Sequence, residues 1–156
     1  MNISSKLHDI IQIAMGWTDS HLHSFEIKDK IYQKKYEEFE DEFGDDYLDA
    51  AQFKIKTLLK KSDKLTYVYD FGDYWQHQIQ VEDVLEKSEY KPPFLIKAVG
   101  ACPVEDSGGL WGYYEKLEIL SNPKYKEYKE IKEWMGPYYN QEISLSEINK
   151  SLTRIS

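Results

Sequence analysis

The stretch Tyr69-Asp70-Phe71-Gly72-Asp73-Tyr74-Trp75-Gln76-His77 sets two carboxylates and an imidazole around a glycine turn, inside what otherwise reads as core β-structure. Carboxylates and imidazoles are the groups of general acid–base catalysis and of metal ligation. A second set precedes it in His21-Leu22-His23, where alternate positions of a strand put two imidazoles on one side. His-x-His with a carboxylate nearby suits a divalent ion such as zinc, so His21, His23, Asp73 and His77 are the candidate metal ligands. The same groups paired with one another would brace a core instead. Left unpaired in the interior, each would cost about 1–3 kcal/mol.

A third set is Gly100-Ala101-Cys102-Pro103-Val104-Glu105-Asp106-Ser107-Gly108-Gly109. Cys102 is a nucleophile if His77 or His23 lowers its pKa, and a small hydrophobe otherwise. Glu105, Asp106 and Asp70 are the candidate catalytic carboxylates, with Glu105 the general base of a metal-assisted hydrolase. At the start of a helix, Glu105 and Asp106 would also complement the helix dipole with no further role. The Gly108-Gly109 spacing matches neither a P-loop nor a dinucleotide fingerprint, so no nucleotide cofactor is expected.

These groups must be positioned by an interleaved order of helices and strands. Leu7, Ile10, Ile11, Ala14 and Met15 recur at helical spacing, and Gly16 is placed to stop that helix. Residues 21–27 alternate as a strand, with His21 and His23 on the side of Phe25 and Ile27. Residues 53–61 have the pattern of a short helix. Strands are expected over 65–71 and 74–82, the second with Trp75, His77, Ile79 and Val81 inward and Asp73 in the same phase. A further strand is expected over 94–99. Asp106 or Ser107 is expected to cap a helix over about 110–120, and Ser121-Asn122-Pro123 to open the next, ending at Gly136-Pro137. Ser144-Leu145-Ser146-Glu147 has the spacing of a capping box before a C-terminal helix. The fold class is α+β: one domain over residues 1–156, with a small, mostly antiparallel or mixed sheet packed against several helices.

At 156 residues, 41% of them hydrophobic and 15% aromatic, the chain has enough apolar surface for one core. A single cysteine excludes an intrachain disulfide framework and agrees with a reducing compartment. No apolar run approaches the ~20 residues of a membrane span, and the N-terminus has no apolar signal-peptide core, so a cytoplasmic protein is expected. The net charge of −8 is concentrated in residues 36–49, which carry eight acids and no base. Such a run reads as a solvated segment or an arm for a basic partner; it lacks the EF-hand pattern for calcium. No basic stripe supports non-specific nucleic-acid binding.

The ordered combination of His21-Leu22-His23-Ser24-Phe25, Tyr69-Asp70-Phe71-Gly72-Asp73 with Trp75 and His77, Cys102-Pro103 with Glu105-Asp106 and Gly108-Gly109, and finally Trp134 resembles the Ri-plasmid ORF-3-like family. The resemblance spans residues 7–152. It implies an α+β fold and a link to mobile elements, in plasmid and transposon passenger proteins, without implying an activity. Some members carry a resolvase-like label, but Arg154 is the only arginine here, which disfavours phosphoryl-transfer chemistry of that kind. Members typically begin with a strand and a Trp-Arg turn before the first helix, whereas this sequence starts almost at that helix. An uncovered sheet edge is therefore expected, open to dimerisation or strand addition. Many relatives carry a second cysteine where this chain has Ser107, so a role needing two thiols is not expected here.

Three functions follow from the residues. The first is a mobile-element-associated binding or adaptor protein that holds a protein or peptide in an aromatic cleft around Trp75, Trp111, Tyr113 and Trp134. The second is a metal-assisted hydrolase built on the His, Asp and Glu groups. The third is an acidic inhibitor of a nucleic-acid-processing protein, using residues 36–49.

Overall fold

In the computed structural model of the chain, residues 6–35, 47–137, 139–140 and 143–155 are described. Most of the acidic run, residues 36–46, lies outside them. The first element is helix α1 (His8–Met15), closed by Gly16 at φ 73°, a left-handed conformation that glycine adopts without a Cβ penalty. Strands β1 (His23–Ile27) and β2 (Lys30–Gln33) form a hairpin. Its two turn residues, Lys28 and Asp29, both have positive φ, as a turn matched to the twist of its strands requires.

The two-residue strand β3 (Leu48–Asp49) pairs in parallel with β2, and a 3-10 turn (Ala50–Gln52) and the single-turn helix α2 (Ile55–Leu58) follow. Strands β4 (Lys64–Tyr69) and β5 (Trp75–Gln80) complete a sheet in the order β3-β2-β1-β4-β5. Among the described residues only the β2–β3 pairing is parallel. The chain then runs irregularly to three helices, α3 (Gly109–Ser121), α4 (Tyr128–Met135) and α5 (Leu145–Leu152), and a 3-10 turn (Thr153–Ile155). The architecture is α+β with a mixed sheet.

Alternation explains which face is buried. His23, Phe25 and Ile27 of β1 point inward, as do Leu65, Tyr67 and Tyr69 of β4. The register sets Tyr32, Phe25, Tyr67 and His77 in one row across the sheet, and His23, Tyr69 and Trp75 in the next. These rows pack with Trp17, Tyr113 and Met135 into the core. Burying each large side chain contributes about 1.5–3 kcal/mol. The opposite face carries Glu26, Gln76, Gln78 and Gln80, all exposed, the usual division of an antiparallel sheet wetted on one side.

Four local expectations are corrected. Residues 94–99 are not a strand. There Leu95 gives its N–H to Asn149 Oδ1 (2.7 Å) and takes a hydrogen bond from Asn149 Nδ2 (2.9 Å), so a side-chain amide of α5 pairs as a strand neighbour would. Neither Asp106 nor Ser107 caps α3, whose N-cap is Gly108 in the left-handed region. Pro123 does not open α4; Asn122 instead accepts from Tyr125 N–H and Lys124 N–H in a turn, and the helix begins at Tyr128. Phe71 leaves the strand for an exposed turn. By contrast, Ser144 caps α5 through the Glu147 N–H. Among the described residues no helix is long and apolar enough to cross a membrane.

Candidate functional site

Two groups of imidazole and carboxylate face one another across Tyr69, whose ring lies 6.2 Å from His8 and 5.8 Å from His21. The inner group begins on α1, where His8 and Gln12, one turn apart, are buried against the sheet. Gln12 Oε1 accepts from the Asp19 N–H (2.9 Å), which directs its amide NH2 to Tyr67 Oη (3.1 Å). Tyr67 Oη lies 2.8 Å from His8 Nδ1, and His8 Nε2 lies 2.7 Å from Asp19 Oδ1. The four residues therefore close a ring of hydrogen bonds. Its donors and acceptors all match when the tyrosine proton points to Nδ1 and His8 carries its own on Nε2. Burial pushes the Tyr67 hydroxyl well above the usual tyrosine range, which keeps that proton in place at neutral pH. His23 stacks on His8 with ring centres 3.6 Å apart and planes 8° from parallel.

The outer group joins three loops: His21 ahead of β1, Asp70 at the end of β4, and Asp106 before α3. His21 Nε2 lies 3.0 Å from Asp106 Oδ1 and 3.8 Å from Asp70 Oδ2. Although the Nε2 atom is buried, it is aligned for a hydrogen bond with neither. Asp70 is held firmly. Its N–H donates to Leu22 O, its carbonyl accepts from Tyr74 N–H, and its Oδ1 accepts from Gly72 N–H at 2.9 Å. That leaves Oδ2 turned to the imidazole. Asp70 and Asp106 both have positive φ, 57° and 58°, a conformation that aspartate tolerates better than most residues.

A frame of satisfied groups surrounds these two sets. Glu105 accepts from Tyr69 Oη (2.6 Å), Thr18 N–H (2.9 Å) and Thr18 Oγ1 (2.8 Å), so it ties the loop before α3 to the end of α1 and to β4. Trp17 Nε1 donates to Pro103 O at 2.9 Å across the same junction. The β4–β5 turn is locked to α3 by Asp73 Oδ2, which accepts the Gly108 N–H at 2.9 Å. Gly109, at φ 64°, packs against the Asp73 carbonyl so closely that a Cβ there would collide with it. Ser107 is fully buried, with Oγ donating to Val104 O and its carbonyl accepting from Lys116 Nζ.

The chain matches the family described as plasmid pRiA4b ORF-3-like protein over residues 3–147. It is 36% identical over 152 residues to the uncharacterized protein y4hQ of Sinorhizobium fredii (strain NBRC 101917 / NGR234), covering 95% of this chain and 76% of that one. The chain belongs to the plasmid pRiA4b ORF-3-like family. Its fold also matches the crystal structure of MM3350 from Methanosarcina mazei Go1, a protein of unknown function, at a TM-score of 0.77 and 29% identity, over 90% of this chain and 80% of that one.

Within this ORF-3-like fold the four expected metal ligands do not gather in one place. His21 joins Asp70 and Asp106, His23 joins His8 and Asp19, and neither group includes Asp73 or His77. The Asp73 carboxylate accepts from the Gly108 N–H at the start of α3. His77 Nδ1 lies 3.1 Å from the Trp75 carbonyl and the ring abuts Trp17 and Tyr67, where burial lowers its pKa. Of the three expected catalytic carboxylates, Asp70 and Asp106 come together around His21, while Glu105 is a brace. Cys102 sits at the wall of an apolar cavity of about 420 Å³ with Met15, Trp17 and Met135. Its thiol touches Ala14 O and Met15 Sδ, and burial raises its pKa, the opposite of what a nucleophile needs. His8, Gln12 and Asp19 went unrecognised in the sequence; two polar residues one turn apart on an otherwise apolar helix face were the available signal.

Proposed function

We propose that this chain is a protein-binding module of a mobile genetic element, acting in the cytoplasm, and that it engages its partner through an aromatic surface at the start of α3. The observation that carries this reading is Trp111, which is 85% exposed. Leu110 and Tyr114 on the same helix are also exposed, and so are Phe71 and Tyr74 on the β4–β5 turn. The close approach of Gly109 to Asp73 brings the turn that carries Phe71 and Tyr74 against the start of the helix that carries the other three. Exposed apolar patches of this kind are characteristic of interaction sites, and tryptophan and tyrosine contribute most to binding energy at interfaces. The aromatic cleft expected from the sequence divides in two here: Trp75 and Tyr113 belong to the core, whereas Trp111 and Trp134 are exposed. The acidic run of residues 36–49, which carries the whole net charge of −8, suits a partner with a basic segment. The family's description as a plasmid reading frame supports the link to a mobile element.

Site-specific photocrosslinking in the host cell tests the reading, with the crosslinker at position 111 and, as a reference, at Gln78 on the polar sheet face. One discrete protein adduct at 111 and none at 78 is expected. Equal labelling at both positions would overturn it.

A further inference from the structure

We propose that His21, Asp70 and Asp106 form a binding site for a first-row divalent cation, with water completing its coordination. The donor set is one imidazole nitrogen and two carboxylate oxygens, which suits Zn²⁺ and its neighbours better than the oxygen-only preference of Mg²⁺ or Ca²⁺. The three ligand atoms lie within 4.8 Å of one another. Tetrahedral metal bonds of ~2.0–2.2 Å place adjacent ligand atoms roughly 3.3–3.6 Å apart. The Nε2 separations of 3.0 and 3.8 Å from the two oxygens bracket that range.

Two further observations favour a ligand over a plain ion pair. His21 Nε2 is buried and makes no aligned hydrogen bond, although an oxygen stands 3.0 Å away. Asp70, only 8% exposed, aims its second oxygen at that nitrogen while its first is fixed by Gly72. A cation shared among the three atoms satisfies all of them at once. The supporting contacts are in place: Gly72 orients Asp70, and the Asp73–Gly108 and Glu105–Tyr69 hydrogen bonds hold the loop that carries Asp106. Asp106 is 66% exposed, which leaves an open side for water and for entry of the ion.

The inner group of His8, Asp19 and His23 has the same number of ligand atoms within reach but the wrong arrangement. Both nitrogens of His8 are already engaged. The imidazole lone pairs lie in the ring planes, and the His8 and His23 rings stack with their centres 3.6 Å apart and planes 8° from parallel, so the lone pairs do not converge on one ion.

The test is calorimetric titration of the chelator-stripped full chain with Zn²⁺, repeated with Mg²⁺ and with the variants D106N, H21A and D19N. One Zn²⁺ per chain is expected, bound more tightly than Mg²⁺ and weakened by at least about tenfold in D106N and H21A but not in D19N. Because Asp106 is exposed, D106N keeps the fold, and a melting curve shows this: Zn²⁺ should raise the midpoint of the parent chain and not of D106N. Absence of binding, unchanged affinity in D106N and H21A, or loss in D19N with retention in D106N would each overturn the site. The outcome is independent of whether Trp111 engages a partner.

Discussion

The two imidazole groups use the same residue types and stand on either side of one tyrosine, yet only one of them is closed. In the inner group each donor of Gln12, Tyr67 and His8 has an acceptor, and the ring returns to its start at the Asp19 amide. In the outer group His21 lies close to two carboxylates and is hydrogen-bonded to neither. The contrast shows that a cluster of titratable side chains is classified by its hydrogen-bond directions and not by its composition. The inner ring comes from a helix, one strand position and the loop after the helix, and three of its four residues are buried. The outer group comes from three loop ends whose backbone is fixed but whose facing atoms are not consumed.

The largest effect should come from opening the inner ring. His8→Ala removes a buried ring and leaves the Tyr67 hydroxyl proton without its acceptor, and should lower the unfolding free energy by about 3 kcal/mol in urea titration. Tyr67→Phe breaks the ring at one atom and should cost about 1–2 kcal/mol by the same measurement. Losses no larger than those of a surface substitution would mean that the ring contributes nothing.

pH should separate the regions next. Burial raises the pKa of Tyr67 and of Tyr69 above the ordinary value near 10. The unfolded chain therefore ionises first on the alkaline side. The stability these groups contribute is complete below about pH 10 and is lost as pH rises further, and Tyr67→Phe should flatten that slope in denaturation midpoints. His77 works in the acid direction: its folded pKa is depressed by burial, so the unfolded chain binds the proton more readily. Stability should fall as pH drops below about 6.5, and His77→Gln should reduce the fall. The smallest effect belongs to the outer group, where Asp106→Asn without added metal should change stability by less than about 0.5 kcal/mol.

Much of the scaffold is legible in the amino-acid order. Alternation in β1 and β5 reports one buried face, and Gly16 and Ser144 mark helix ends by their own chemistry. The strand assigned to 94–99 failed because β propensity cannot show that a neighbour is a single asparagine side chain 54 positions away. The caps of α3 failed for a similar reason, since Gly108 is satisfied by Asp73 from another element. Composition and order placed His21, Asp70 and Asp106 among the candidates. Their grouping depends on three loops meeting, which no local spacing encodes. Asp73 shared the strand phase of His77, but the turn gave its carboxylate to α3.

Histidine side-chain nitrogen spectra of the full chain, recorded during a Zn²⁺ titration, test the difference between the two groups most directly. His21 Nε2 should shift and saturate at one equivalent while the His8 and His23 resonances stay in place. Movement of His8 and His23 with an unperturbed His21 would contradict it.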